Sequence, residues 1–355
     1  MSCMTKGIHL GSSLEISKAD NALNLIRFVL ASSVIAAHAF PIAGYSALGL
    51  EVIGSFGYWA VSGFFAISGF LISRSWIASP QLSSFILKRV LRIYPAFWVA
   101  LLVGGFVLAP LCAILNNQGS YFLVDGFWYF LKNSSLLMLQ HPVGDVLSGS
   151  SYPESFNGSL WTLAPEFTCY LATAALFLMA RRRMSQIVLF WSALVLASFL
   201  HLVSSGGGGF SLIHEASRLA VFYFAGVVIY IYRERLRFSR ISMAGSLAIV
   251  ALLWLNPDLA FVGALPLGYF LIWLGLKANF VKWGQNNDFS YGIYIYAFPI
   301  QQFVALLFPA AHFPAHVLLA IIFTFPFAIL SWFLVERPAI RSARRLLAKF
   351  SKETQ

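Results

Sequence analysis

The sequence predicts an all-α integral membrane protein with about ten transmembrane helices and both termini on the cytoplasmic side. Three observations carry that expectation. Of 355 residues, 59% are hydrophobic and only 10% charged, a balance foreign to soluble domains. Apolar runs of the roughly 17–25 residues needed to cross about 30 Å of hydrocarbon recur from end to end. With the N-terminus placed inside, and counting Arg74 at the inner end of the second span, all but three of the 24 lysines and arginines (Arg27, Lys132 and Arg218) fall on the inner side, as the positive-inside bias requires.

Taken in order, spans are expected at 22–40, 55–76, 93–115, 159–180, 185–204, 213–232, 241–256, 258–276, 288–310 and 314–336. A polar cytoplasmic leader, 1–21, precedes the first. Residues 28–37 followed by Ala37-His38-Ala39 mimic a signal-peptide core and cleavage site. The leader is long for a signal peptide, so 22–40 is read as a retained span. Asn256-Pro257-Asp258 is a turn signal that makes 241–276 a tight helical hairpin. The stretch 121–140 is apolar but carries Asp125 and Lys132. It is expected as an interfacial or re-entrant helix within the long outer segment 116–158.

The inner segments are then 1–21, 77–92, 181–184, 233–240, 277–287 and 337–355, and 22–336 forms the membrane domain. The last segment is a basic amphipathic tail suited to anionic inner-leaflet lipid. Gly206 to Gly209 form a flexible connector without a phosphate-loop lysine. The formal charge of +11 is spread over short loops between apolar runs, which speaks against nucleic acid as a partner. Cys3, Cys112 and Cys169 are scattered and form neither a disulfide framework nor a metal-ligand cluster, so no metal is expected.

Chemistry is expected where ionisable groups sit at membrane depth, because each costs roughly 2.5–3.5 kcal/mol or more there. Arg27 and His38 lie 11 residues apart in the first span. That spacing is about three turns plus 20°, so both side chains share one helical stripe about 16–17 Å apart along the axis. Lys88, Arg89 and Arg92 open the third span from the inner side and could clamp the phosphates of a cytosolic donor, although any inner loop is basic. Glu166 starts the fourth span at a depth similar to that of His38 and needs a partner. Two partners are open. A pair with His38 would fix the imidazole tautomer as a general base requires; a pair with Arg218 would be structural. Ser68-Gly69 ends the second span with a small-residue site where helices or a thin ligand could approach. Tyr291 and its neighbours open the ninth with hydroxyls that could line a wet groove.

Together these segments resemble the acyltransferase-3 family, polytopic enzymes that O-acylate bacterial surface glycans and other extracytoplasmic acceptors. The resemblance runs from about Asn21 to Pro338. It comprises the Arg27-x10-His38 pair, Ser68 to Ile72, Lys88-Arg89-x-x-Arg92-Ile-x-Pro95, Trp161-x-Leu163-x-x-Glu166, Ser290-Tyr291-Gly292-Ile293-Tyr294 and Glu336-Arg337-Pro338. This chain departs from many members in having Ala297 where they carry histidine. The resemblance implies a multi-pass protein of the bacterial cytoplasmic (inner) membrane, with acyl-CoA, most simply acetyl-CoA, as inner donor. It implies a polysaccharide or other glycan hydroxyl as outer acceptor. His38 would act as general base or acyl carrier, with Arg27 and Glu166 beside it in the catalytic set. Lys88, Arg89, Arg92, Ser68 and Tyr291 would bind the donor. A transporter or flippase of a lipid-linked glycan is the rival reading. It explains the spans and the intramembrane arginines, but no inverted repeat or pair of broken helices is visible.

Overall fold

The computed structural model describes residues 8–9, 22–45, 50–180, 182–204, 212–254, 256–277 and 287–353. The leader apart from 8–9, the glycine run and most of 277–287 lie outside them. The described chain is helical apart from a two-residue pairing of Ile8–His9 with Arg237–Phe238. In order, the helices are α1 (Leu23–Ala43), α2 (Leu50–Ala78), α3 (Leu82–Leu115), α4 (Leu123–Asn133), α5 (Leu160–Met179) and α6 (Arg183–Ser204). They continue with α7 (Leu212–Tyr232), α8 (Arg240–Leu253), α9 (Leu259–Lys277), α10 (Ser290–Leu307), α11 (Phe313–Ser331) and α12 (Arg337–Glu353).

By length and composition, eight helical stretches among the described residues can cross a membrane: α1, α2, α3, α5, α6, α7, α9 and the rod formed by α11 with α12. Two of the ten expected spans do not meet that standard. α8 has 14 residues, about 21 Å of helix, too short for the hydrocarbon core. α10 carries three tyrosines and Gln301–Gln302, and its residues are buried almost throughout. Its polarity faces protein rather than lipid. The third helix begins eleven residues before the expected start of its span, so Lys88, Arg89 and Arg92 lie within it.

The chain divides into two compact units, with α1, α2 and α5 each contributing to both. The first comprises 1–27, 59–80 and 165–286. Its centre is the crossing of α2 with α7. A Cβ on Gly69 would stand 2.0 Å from the Tyr223 carbonyl oxygen, and one on Gly226 would stand 1.9 Å from that of Ala66. The small-residue site at Ser68-Gly69 is therefore used for backbone approach. Phe70, Ile229, Tyr230, Tyr269 and Ile272 pack around this crossing.

The second unit comprises 28–58, 81–164 and 287–355, with α10 in its interior. Gly292 meets Ala328 of α11. The segment 116–158 is pinned by amide side chains: Asn116 donates to the Val146 and Ser148 carbonyls, and Asn157 to that of Ile295 at 2.9 Å. Within it, α4 has eleven residues, about 16 Å, and cannot span. Asp125 accepts from the Phe122 amide and so caps the helix, which accounts for its charge. Leu123, Phe127, Trp128 and Leu131 remain exposed along one side.

Candidate active site

Arg27 and His38 share a stripe on α1. Ala31, Val34, Ile35, Ala39 and Ile42 around that stripe are buried. Val29, 53% exposed, lies about 200° from Arg27 and marks the opposite, outward side. The Arg27 guanidinium stands 5.9 Å from the centre of the Phe64 ring in the first unit. In the second unit the His38 ring meets Phe298 edge-on, centroids 4.9 Å apart. Its Nδ1 is buried and has no hydrogen-bond partner among the described residues. A half-buried imidazole with an unused nitrogen can take a proton from a neighbouring hydroxyl.

Glu166 is held by hydroxyls. The Ser68 hydroxyl donates to its Oε1 at 3.0 Å, and so does the Tyr170 hydroxyl, which lies 3.2 Å from Ser68 Oγ. Arg218, the other partner weighed from sequence, forms an ion pair with Glu215 at 2.7 Å and donates to Ser62 at 2.8 Å. Spacing alone could have suggested the Glu215–Arg218 pair, because i,i+3 neighbours meet on one helix face. Tyr170 follows Glu166 by four residues and was legible in the same way.

One end of the second unit holds a buried ion cluster that joins three of the sequence motifs. Arg92 Nη1 lies 2.6 Å from Glu336 and Nη2 lies 2.7 Å from Asp288. A π-helical turn, Trp332–Glu336, separates α11 from α12. Across it the Ser331 hydroxyl donates to Glu336 at 2.9 Å. The extra residue in such a turn swings the side chains that follow, and here the carboxylate comes round to Arg92. The Tyr291 ring lies beneath the guanidinium, 5.2 Å from centroid to carbon, and its hydroxyl donates to the Ile93 carbonyl.

Two donor-binding expectations change accordingly. The Arg92 charge is already opposed by two carboxylates, and Tyr291 is a buried strut rather than a groove lining. Lys88 and Arg89, four and three residues before Arg92 on the same helix, are half-buried. Among the described residues there is no group of three or more His, Cys, Asp or Glu that could hold a metal ion.

Comparison with known proteins adds to this geometry. A family model described as an acyltransferase domain matches residues 20–336. The chain belongs to the acyltransferase-3 family. It is an acyltransferase, and its apolar helices make it a membrane one. A protein of Shigella phage Sf6 named O-acetyl transferase is 30% identical over 327 residues, covering 90% of this chain and 95% of that one. Nodulation protein 10 of Rhizobium leguminosarum bv. viciae is 27% identical over 370 residues, covering 96% and 99%. No solved structure matches. In this acyltransferase-3 chain, therefore, the basic, Ser-Tyr-Gly and Glu-Arg-Pro motifs meet in one ion cluster, and the Trp-x-Leu-x-x-Glu motif supplies a carboxylate bound by two hydroxyls.

Proposed function

We propose that this acyltransferase moves an acetyl group from acetyl-CoA on the cytoplasmic side to a hydroxyl of an extracytoplasmic polysaccharide. Its location is the bacterial cytoplasmic membrane, with the leader 1–21 and the tail 337–355 inside. The name of the phage relative supports O-acetyl transfer. The acyltransferase-3 resemblance supports the CoA donor and the glycan acceptor. The observation that carries the reading is His38: an imidazole on a buried stripe with a free nitrogen, on the same helix as Arg27.

His38 accepts the proton of the acceptor hydroxyl as its oxygen attacks the thioester carbonyl. Lys88 and Arg89 meet the donor's phosphates, and Arg27 lies along the path of the pantetheine arm. Glu166, held by Ser68 and Tyr170, is the further carboxylate of the catalytic set.

The test is release of acetate by mild base from the surface polysaccharide of cells carrying either wild-type protein or the His38→Ala variant. Acetate from wild-type cells alone, with equal polysaccharide in both, is expected. Loss of the polysaccharide itself would point instead to export, the transporter reading.

A further inference from the structure

Two adjacent glutamines on α10 behave differently. Gln302 is satisfied, its amide donating to the Tyr152 and Ser155 carbonyls at 3.0 and 3.1 Å. Gln301 is fully buried, and neither its Oε1 nor its Nε2 has a partner among the described residues. A buried primary amide is costly to desolvate unless something binds it, so native structures rarely leave one idle.

Its surroundings point to the same use. Gln301 follows Phe298 by three residues, so the two are neighbours on one face of α10. Phe298 is the ring against which His38 packs. Ser155 Oγ, beside Gln302, is also buried and unpartnered among the described residues, as is His38 Nδ1. Three elements of the second unit thus hold buried, unused polar atoms: His38 on α1, Gln301 on α10 and Ser155 in the segment between α4 and α5. All are neutral side chains suited to a neutral carbonyl or hydroxyl rather than to a phosphate.

A base and an oxyanion donor must each stand about 3 Å from the reacting centre, and so within roughly one helical turn of each other. We infer that Gln301 is a catalytic residue whose Nε2–H donates to the carbonyl oxygen of the acyl group. This rests on the reading of His38 given above. The acceptor hydroxyl oxygen bonds to the thioester carbonyl carbon while its proton passes to His38. The carbonyl electron pair moves onto oxygen, where Gln301 stabilises it. Collapse breaks the carbon–sulfur bond, and the departing thiolate takes the proton from His38, leaving the ester and free CoA.

The experiment compares full-length wild-type protein with Gln301→Met, close in shape but apolar. Two quantities are read: melting temperature in detergent, and transfer from radiolabelled acetyl-CoA into the polysaccharide fraction of the same membranes. The expected variant is as stable as wild type or more so, because an unbound buried amide has been removed. Its kcat falls roughly 10²- to 10³-fold with KM for acetyl-CoA little changed, the usual cost of a lost oxyanion donor. Transfer at wild-type rate overturns the proposal. A variant that melts well below wild type also overturns it, since the amide would then be serving the free protein's packing. If wild-type membranes incorporate no label, it is the acetyl-CoA reading that fails, and the oxyanion role with it.

Discussion

Arg92 and Glu336 are 244 residues apart in the chain and 2.6 Å apart in the fold. The side chain of Glu336 is wholly buried and that of Arg92 largely so, with Asp288 on the other guanidinium nitrogen. Breaking a buried pair by removing one partner costs about 3–5 kcal/mol, because the remaining charge is uncompensated. Arg92→Leu strands both Glu336 and Asp288 and should lower the melting temperature sharply, whereas Glu336→Leu leaves Arg92 paired with Asp288 and should cost less. The double variant should lose less than the sum of the two single losses. Additive losses in that cycle would show that the pair is not coupled.

Lys88 and Arg89 should behave otherwise. They lie half-buried in the second turn of α3, and the phosphate contact proposed for them would contribute to binding rather than to folding. Lys88→Ala with Arg89→Ala should raise KM for acetyl-CoA about tenfold, equivalent to about 1.4 kcal/mol, and leave kcat and melting temperature nearly unchanged. The KM of wild type should rise with salt and that of the variant should not. An unchanged KM would remove these cations from the donor site.

Much of this arrangement was legible in the sequence. Expected spans at 55–76, 185–204 and 213–232 lie within two residues of the stretches long and apolar enough to cross, Gly54–Ala78, Arg183–Ser204 and Leu212–Tyr232. Those helices are framed by loops and charges that hydropathy registers. Within the first unit Arg183 meets Glu234, and within the second Tyr45 donates to the Ala311 carbonyl. What escaped was pairing. Which carboxylate holds Arg92 depends on a π-helical turn at Trp332–Glu336, and no residue pattern announces an extra residue per turn. The hydroxyls of α10 read as the lining of a wet groove, because an apolar run does not reveal whether lipid, water or protein surrounds it. Gln301 passed unnoticed for that reason.

The α2–α7 crossing offers a stability prediction free of catalysis. Gly69→Ala and Gly226→Ala each place a methyl group within 2.0 Å of a backbone carbonyl, so the helices must separate. Each should cost several kcal/mol, at the upper end of core overpacking. At Gly54 and Gly245 an added Cβ would meet nothing within 4 Å, and alanine there should be neutral or stabilising by about 0.5–1 kcal/mol. Thermal unfolding of the four variants in detergent checks both halves. Equal melting temperatures would contradict the packing described for the first unit.

Outside the membrane, the Arg183 guanidinium donates to Glu234 and holds its carboxyl below the ordinary range, with Arg233 and Arg235 adding to the effect. Because the folded value is depressed, this stabilisation is present above the unfolded carboxylate range. It is lost as pH falls through the folded value. Both partners are more than a third exposed, so the contribution is small. Glu234→Gln should shift the melting temperature by no more than about 2 °C at neutral pH, and by less in acid.

The central claim is that the imidazole of His38 takes the acceptor proton. Its most direct test is the rate of label transfer from acetyl-CoA to polysaccharide by His38→Ala protein whose melting temperature matches wild type. The account predicts that transfer falls by at least about 10²-fold, the lower end of what general-base catalysis contributes. Transfer at the wild-type rate by a fully folded variant would contradict it.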